Sequence, residues 1–179
     1  MAESKSYKLE KILISKEEID RRAAEIGRLI SEDLAGETVL VVGILKGAFL
    51  WMGNVIQHIT IPVKIDFMAV SSYGAATKSS GVVRILKDLD SAIEGQNVIV
   101  VEDIVDSGVT LAYLKESLLG RGPKSLRICT LLDKPEGRRT EIQADYTGFT
   151  VGDAFIVGYG LDVDQQFRNL PYITSVSAG

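Results

Sequence analysis

VIVVEDIVDSGVTL, residues Val98–Leu111, is the most informative stretch of this 179-residue chain about its fold class. Its first half is a run of mostly β-branched apolar residues, typical of a strand in a sheet that is covered on both faces. The run then passes through acids, hydroxyls and a glycine into Thr110–Leu119, which has the character of a helix. Because a buried strand that leads directly into a helix is the repeating unit of parallel sheets, this stretch indicates an α/β protein.

The rest of the chain repeats the same alternation. A capping box at Ser15 and Glu18 predicts an opening helix that ends before Gly36. A second helix is predicted from Ala48 to about His58. Strands are predicted at Thr38–Leu45, Val63–Ser72, Val82–Lys87, Asn97–Glu102 and Ser125–Leu132. We therefore expect an α/β fold with a mainly parallel central sheet that is flanked by helices and joined by right-handed crossovers.

The pattern changes near the carboxyl end of the chain. Short apolar pieces, separated by polar turns, lie at Tyr146–Val151, Phe155–Tyr159 and Tyr172–Val176. They suit a small hood better than another strand–helix–strand unit. No repeat, linker or low-complexity tract divides the chain, so we expect one domain over residues 1–179. Its hood subdomain is expected to consist of the N-terminal segment and roughly residues 134–179.

Composition and charge favour a small-molecule partner. Twenty Lys and Arg against 24 Asp and Glu give a net charge of −4, with no long block of one sign. We therefore expect no nucleic-acid partner and no membrane partner. The single cysteine, Cys129, excludes an intrachain disulfide and lies in an apolar run, so a buried thiol is expected. Without a signal sequence or a membrane-length apolar segment, the protein is expected to be cytoplasmic.

The turn after the buried strand has the composition of an anion site. Ligands of open α/β sheets collect beyond the carboxyl ends of the strands, where the first turn of the next helix offers free N–H groups and the positive end of its dipole. Gly108 lets the backbone curl around an anion, and the hydroxyls of Ser107 and Thr110 can donate hydrogen bonds. These features predict a phosphate cradle.

Acidic residues stand just before and within this turn. Glu102 and Asp103 could hold a hard cation or bind sugar hydroxyls through their oxygens. The alternative is an ordinary capped strand–helix turn, in which Asp106 and Ser107 serve only as N-cap residues. The chain contains neither G-x-x-x-x-G-K-[ST] nor a G-x-G-x-x-G that follows a strand, which argues against nucleotide hydrolases and dehydrogenases.

VIVVEDIVDSGVTL resembles the phosphoribosyl pyrophosphate motif of the type I phosphoribosyltransferases, and the resemblance extends over roughly Val39 to Val176. Further segments resemble the hypoxanthine-guanine branch of that family. They are Leu45–Ala48, similar to its pyrophosphate loop; Ser72-Tyr73, at the start of its flexible loop; Leu132–Lys134, with its purine-site lysine; and Phe155–Asp162 and Phe167–Leu170, similar to its hood and closing segments.

The resemblance implies a binding site for phosphoribosyl pyrophosphate. The 5-phosphate is expected in the cradle formed by Asp106, Ser107, Gly108, Val109 and Thr110. The ribose hydroxyls are expected at Glu102 and Asp103, directly or through Mg²⁺-bound water. The pyrophosphate is expected against Lys46, Gly47 and Arg168, with a non-proline cis peptide between Leu45 and Lys46 as in many members of the family. The implied Mg²⁺ ligands are Glu102, Asp103 and Asp162.

The resemblance also implies a purine site. Lys134 suits the O6 oxygen of hypoxanthine or guanine, because an ammonium donates hydrogen bonds and cannot accept them. Phe155 is expected to stack on the base, and Ile156 and Asp162 to line its edge; without the motif, Phe155 would be read as a core aromatic. Asp106 and Lys134 are the implied catalytic residues, with Asp106 near purine N7, where it would manage a proton.

The loop Tyr73–Gly81, with Ser72 and Tyr73 at its base, is the expected lid that keeps water from the reacting sugar. A plain exposed hairpin is the alternative for this segment.

The implied reaction transfers the 5-phosphoribosyl group from phosphoribosyl pyrophosphate to N9 of hypoxanthine or guanine, giving IMP or GMP and pyrophosphate with Mg²⁺. The resemblance further implies a homodimer or homotetramer. Two alternatives stay open from the sequence. One is a transferase that prefers xanthine or takes 6-oxopurines more broadly. The other is a regulatory protein that keeps the phosphoribosyl pyrophosphate site as a sensor and binds nucleic acid, which the absence of a basic patch argues against.

Overall fold

The computed structural model describes residues 6–72 and 83–179. Within these ranges the chain forms strands, three α-helices and one short 3-10 helix. In chain order they are β1 (Tyr7–Ile14), α1 (Lys16–Asp33), β2 (Val39–Leu45), α2 (Phe49–Ile56), β3 (Val63–Ser72), β4 (Val83–Lys87), β5 (Asn97–Val105), α3 (Val109–Leu119), β6 (Ser125–Asp133), the 3-10 helix Pro135–Gly137, β7 (Tyr146–Thr150), β8 (Ile156–Val157) and β9 (Ile173–Ala178).

A six-stranded sheet forms the centre of the molecule, in the order β4-β3-β2-β5-β6-β7. Its strands pair in parallel, except that β4 runs antiparallel to β3. Both faces are covered: α1 and α2 pack with one set of β2 side chains that includes Val41, and α3 packs with the alternate set that includes Leu40. The predicted α/β fold with a mainly parallel sheet is confirmed. Burial of β2 and β5 on both faces explains their continuous apolar sequences.

The sheet has its topological switch point between β2 and β5. These strands are neighbours in the sheet, yet β2 continues through α2 to β3 on one side and β5 continues through α3 to β6 on the other. The pairing of β2 with β5 ends at Gly43 and Val101, so the last residues of the two strands are no longer joined to each other. A crevice at such a position is where open α/β sheets bind ligands.

The opening helix begins as its sequence predicts. The Ser15 side chain accepts a hydrogen bond from the Glu18 N–H at 3.2 Å, and the Ser15 N–H donates to the Glu18 carboxylate at 2.8 Å. The apolar face of α1, which includes Ile19, Ile26 and Ile30, is buried against the sheet. The capping box and the helical spacing are therefore both confirmed.

A second, three-stranded antiparallel sheet has the order β1-β9-β8. Strand β1 is absent from the sequence prediction. Its sequence, YKLEKILI, leaves most of its side chains exposed or half-buried, and Ile12 is 51% exposed. A clear apolar alternation is therefore missing, and pairing with β9 at the other end of the chain is what makes this segment a strand.

The structure corrects two predicted boundaries. Tyr146–Val151 was assigned to the hood, but Tyr146–Thr150 is β7, the parallel edge strand beside β6. The connection from β6 to β7 contains only a 3-10 turn, so the helix that normally signals a parallel crossover is missing. The second correction is that β5, predicted to end at Glu102, runs on to Val105, so that Asp103 also belongs to the strand.

Cys129 is a fully buried free thiol, as expected, and burial raises its pKa to about 12. No helix among the described residues is long and apolar enough to cross a membrane. The predicted lid Tyr73–Gly81 and the first residue of the predicted strand, Val82, lie outside the described residues.

Candidate active site

The turn after β2 lies against the end of β5 at the switch point. The Leu45–Lys46 peptide is cis, and Gly47 follows it. A Cβ at Gly47 would lie 1.6 Å from Asp103 Oδ2, so only glycine allows the backbone and the carboxylate to approach this closely. The turn after β2 and the last residues of β5 therefore form one wall of the crevice.

Two adjacent carboxyl groups are enclosed by this arrangement. Glu102 is only 8% exposed, and burial, followed by the neighbouring charge of Asp103, raises its pKa well above the usual range. Burial also raises the pKa of Asp103, with a further upward contribution from the charge of Asp162 and an opposing one from Arg168. A crevice that holds acidic groups at this cost in desolvation has the electrostatics of a site for a cation.

A hydrogen-bonded cluster from the C-terminal part of the chain faces Asp103. Arg168 Nη2 pairs with Asp162 Oδ1 at 2.7 Å, and Arg168 Nη1 donates to the Gly160 carbonyl at 2.7 Å. The second Asp162 oxygen accepts from the Gln165 N–H at 2.8 Å, and the Gln165 side chain accepts from Lys46 Nζ at 3.2 Å. The two predicted pyrophosphate cations, Lys46 and Arg168, are thus brought together around one glutamine.

One atom of this cluster has an unused donor. Arg168 Nε is buried and has no hydrogen-bond partner within the described part of the chain. A buried guanidinium N–H without a partner is costly, so it indicates a place where a further acceptor belongs. A phosphate oxygen would satisfy it, since the arginine fork matches phosphate geometry.

The same region fits a magnesium ion that is only partly held by protein. No group of three or more His, Cys, Asp or Glu side chains is gathered around a metal position in residues 6–72 and 83–179. Asp103 and Asp162 nevertheless lie close enough for their charges to interact. Mg²⁺ is commonly bound by one or two carboxylates, with water and substrate phosphates completing its shell, so this donor set is of the right kind.

The predicted phosphate cradle, residues Asp106–Thr110, leads from the end of β5 into the start of α3 and is called the anion loop from here on. Helix α3 begins at Val109 and its N-cap is Gly108, with φ 78° and no side-chain cap hydrogen bond. Neither Asp106 nor Ser107 is therefore the N-cap residue itself, although the Ser107 hydroxyl accepts a hydrogen bond from the Val109 N–H at 3.4 Å. Asp106 is exposed, and Ser107, Val109 and Thr110 are half-buried, so the turn and the first residues of the helix stay accessible to a ligand.

Lys134 lies at the end of β6, one strand beyond the anion loop. Its N–H donates to the Val105 carbonyl at 3.0 Å, and its side chain is 13% exposed. Its ammonium pairs with Asp153 Oδ1 at 2.8 Å and approaches the Ala154 carbonyl at 3.5 Å. The hydrogen bond to Asp153 is the main reason that the pKa of Lys134 is raised, and the charge of Asp106 adds to it. Lys134 is therefore held in its charged, donating form.

The two residues that follow Ala154 differ in exposure. Phe155 is 60% exposed, so its interpretation as an ordinary core aromatic is wrong. Ile156 is buried in β8, where it pairs with Ser175 of β9. Phe155 thus exposes its ring two residues after Asp153, the partner of Lys134, and its carbonyl accepts a hydrogen bond from the Val176 N–H of β9 at 2.9 Å.

Ser72 is the last residue of β3, and Tyr73 lies outside the described residues.

Two partners in this site are absent from the sequence prediction. Asp153, which pairs with Lys134, stands in the turn before β8, and Gln165 joins Lys46 to the Arg168 cluster. Gln165 has φ 63°, in the left-handed region, which is uncommon for a residue with a side chain. The polar composition of both turns was visible in the sequence, but nothing in it pointed to the specific partners.

Comparison with known proteins gives a consistent result. Residues 8–164 match the family model of the phosphoribosyl transferase domain. The chain is 50% identical over 167 residues to the hypoxanthine-guanine phosphoribosyltransferase of Bacillus subtilis (strain 168), covering 93% of each chain.

Solved structures agree with this match. A crystal structure of a hypoxanthine-guanine phosphoribosyltransferase from Bacillus anthracis superimposes with a TM-score of 0.90 at 45% identity, covering 96% of this chain and 100% of that one. A hypoxanthine phosphoribosyltransferase from Trypanosoma cruzi, in a ternary complex with substrates, gives a TM-score of 0.90 at 39% identity over 94% of this chain and 96% of that one.

Proposed function

Because the chain belongs to the phosphoribosyltransferase family, we propose that it is a purine salvage enzyme of the hypoxanthine-guanine type. It transfers the 5-phosphoribosyl group from phosphoribosyl pyrophosphate to N9 of hypoxanthine or guanine, giving IMP or GMP and pyrophosphate. One observation carries the proposal: cations stand on both sides of the end of β5. Arg168 bonds to the Gly160 carbonyl, and Gly160 lies against Gly47, whereas the Lys134 N–H bonds to the Val105 carbonyl on the other side. A substrate with a pyrophosphate on one side of a sugar and a 6-oxopurine on the other suits this arrangement.

In this proposal the sugar phosphate lies along the last residues of β5 and the loop that follows. The 5-phosphate is held by the loop from Asp106 to Thr110, where the start of α3 favours negative charge. The ribose hydroxyls lie at Glu102 and Asp103, which accept hydrogen bonds directly or through Mg²⁺-bound water. A phosphate and a diol at fixed separation select a ribose 5-phosphate.

The pyrophosphate occupies the side of the crevice formed by Lys46, Gly47 and Arg168. Arg168 Nε, which lacks a partner in the described residues, donates to a pyrophosphate oxygen. Mg²⁺, when bound at Asp162 and near Asp103, neutralises charge on the leaving group. Lys46 and Arg168 orient the pyrophosphate and stabilise the negative charge that develops as the bond to ribose C1 breaks.

The base lies between Phe155 and Lys134. The Lys134 ammonium donates to O6, which selects a 6-oxopurine over adenine, because the 6-amino group of adenine is itself a donor. The exposed ring of Phe155 stacks on the base, while Ile156 and Asp162 line its edge. Asp106 faces N7, where it accepts or returns a proton as the base is joined to the sugar.

The three-stranded sheet β1-β9-β8, which carries Ile156, forms the core of a hood over a single domain of residues 1–179. The segment that begins at Ser72 and Tyr73 closes over the bound substrates and excludes water. The enzyme acts in the cytoplasm as a homodimer or homotetramer.

A direct assay tests the proposed reaction. The purified protein is incubated with phosphoribosyl pyrophosphate and Mg²⁺, with hypoxanthine, guanine, xanthine or adenine offered singly, and nucleotide formation is followed. We expect conversion of hypoxanthine and guanine, little conversion of adenine, and loss of turnover when EDTA removes the metal. Rapid conversion of xanthine would move the enzyme to the broader 6-oxopurine class.

Two variants make the assay specific to the site. Asp106→Asn should lower kcat about 100-fold, which is the usual scale for losing a general acid–base group. Asp90→Asn, at a side chain that is 79% exposed, is the matched control and should leave kcat unchanged. Binding of phosphoribosyl pyrophosphate without nucleotide from any base would refute the enzyme and favour the sensor.

A further inference from the structure

We propose that Arg138 is a positioning residue that holds the anion loop from behind and so directs the loop's N–H groups toward the bound phosphate. This inference rests on the proposed function in one respect only, the identity of the anion as a 5-phosphate. Arg138 itself lies on the far side of the loop and does not touch the substrate. It follows the 3-10 turn Pro135–Gly137, on the connection between β6 and β7.

The Arg138 guanidinium donates hydrogen bonds to three backbone carbonyls in and around the anion loop. Nε donates to the Asp106 carbonyl at 3.0 Å, and Nη2 donates to the Val105 carbonyl at 3.3 Å. Nη1 donates to the carbonyl of Ile142, which anchors the arginine to the connection that leads into β7. The side chain is 16% exposed, and its bonds to the Val105 and Ile142 carbonyls are partly buried, where loss of a partner is costly, whereas the bond to the Asp106 carbonyl is exposed.

The geometry of the peptide unit turns these contacts into an orienting device. In a trans peptide the carbonyl of one residue and the N–H of the next point in opposite directions. Carbonyls of Val105 and Asp106 that face Arg138 therefore direct the N–H groups of Asp106 and Ser107 to the other side. The Ser107 carbonyl continues the pattern by accepting from the Arg139 N–H at 2.9 Å, so the Gly108 N–H is directed away as well.

Close packing leaves the loop little room to shift. A Cβ at Gly108 would lie 2.5 Å from Thr140 Oγ1 and from Ile142 Cγ2, and 3.1 Å from Arg138 Cδ. Gly108 also has φ 78°, in the left-handed region that favours glycine. The loop is thus pressed against the segment that carries Arg138, and the guanidinium fixes which way its peptide units face.

The same arginine joins the anion loop to the base side of the site. Its Nη2 also forms an ion pair with Asp133 Oδ1, and Asp133 directly precedes Lys134. The Lys134 N–H bonds to the Val105 carbonyl, which Arg138 shares. Arg138 therefore sets the loop against the strand end that carries Lys134.

The neighbouring arginine provides a matched control. Arg139 has the same charge and adjoins Arg138, but its side chain is exposed and only its backbone N–H contacts the loop. An Arg139→Met change removes one positive charge near the site and leaves the carbonyl contacts intact. An Arg138→Met change removes the same charge together with the contacts.

The test separates phosphate binding from general damage to the site. Dissociation constants of IMP and of inosine, which lacks the 5-phosphate, are measured by calorimetry for the wild type and both variants. We expect Arg138→Met to lower the ratio of the inosine constant to the IMP constant roughly tenfold, and Arg139→Met to change it less than twofold. Equal weakening of both ligands, or an unchanged ratio, would overturn the proposal.

Two further measurements keep the result interpretable. If Arg138→Met unfolds too readily, Arg138→Lys provides the ratio instead, because lysine keeps the charge but cannot span both carbonyls. Binding of ribose 5-phosphate, compared with ribose, reads the positioning role without any purine. Wild-type protein that binds ribose 5-phosphate but converts no base would refute the proposed function while leaving the role of Arg138 measurable.

Discussion

The ion pair between Lys134 and Asp153 lies where the proposed function places the purine. Lys134 is largely buried, whereas Asp153 is 74% exposed, and the two meet at 2.8 Å. The carboxylate keeps the ammonium charged and satisfied in the absence of a purine. In the proposed function it competes with the purine O6 for the Lys134 ammonium. We therefore expect Asp153 to weaken purine binding to the extent that its ion pair with Lys134 must be loosened.

This competition predicts the effect of Asp153→Asn. We expect the KM for hypoxanthine to fall about two- to fivefold, since a partly exposed ion pair is worth up to about 1 kcal/mol. Steady-state kinetics at saturating phosphoribosyl pyrophosphate measure the change. Glu136→Gln is the control, because Glu136 affects Lys134 only through its charge. A higher KM in Asp153→Asn would instead mean that Asp153 orients Lys134 for the purine.

Helices α1 and α2 are tied to the segment that follows β8 by a short hydrogen-bond chain. The Asn54 side chain, on α2, donates to the Tyr159 hydroxyl at 2.8 Å and to Asp20 Oδ1 of α1 at 2.9 Å. The next residue, Gly160, lies against the turn after β2, where a Cβ would come within 2.0 Å of the Gly47 carbonyl oxygen. Asn54 thus fixes the position from which the Arg168 cluster faces the crevice.

Removal of the Tyr159 hydroxyl tests whether the hydrogen-bond chain through Asn54 contributes to stability. Tyr159→Phe should lower the free energy of unfolding by about 1 kcal/mol, because the Asn54 amide loses a buried acceptor. Urea unfolding followed by circular dichroism measures the loss. Tyr172→Phe serves as the matched control, since Tyr172 is half-buried and is not part of the chain that joins Asn54, Asp20 and Tyr159. Equal losses in both variants would contradict the connection.

Burial of Glu102 and Asp103 makes the free energy of unfolding of the whole molecule depend on pH. Burial raises the pKa of Glu102 well above its ordinary value of 4.5, and the pKa of Asp103 is raised for the same reason. The folded state therefore retains protons that the unfolded chain releases. The resulting stabilisation is fully present below the ordinary pKa and is lost as the pH rises through the raised one.

Glu102→Gln isolates the contribution of one carboxyl group. At pH 7 the variant should be more stable than the wild type, by about 1.4 kcal/mol for each unit by which the Glu102 pKa is raised, and this gain stops growing once the raised pKa exceeds 7. The difference should shrink as the pH falls below 4.5, where both proteins are uncharged at this position. Urea unfolding across the acidic range measures both quantities. The exposed Glu141→Gln should show no such trend, and a less stable Glu102→Gln at pH 7 would contradict the sign.

Features that depend on residues close to one another along the chain could be predicted from the sequence alone. The run Val98–Leu111 specifies a strand, a turn and a helix in that order, and Ser15 with Glu18 specifies where α1 begins. Strand periodicity, capping and the polar residues beyond a strand end are local properties, so they could be read without coordinates. The α/β fold and the position of the anion loop followed from them.

Tertiary structure decided the contacts between distant segments. Strand β1 exists because it pairs with β9, and β7 joins the central sheet although no helix announces its crossover. Arg138, Asp153 and Gln165 acquire their partners only when segments that are distant along the chain meet at the ends of the central strands. Pairing energy and side-chain burial arise between surfaces that folding brings together, and a linear pattern does not specify which surfaces those are.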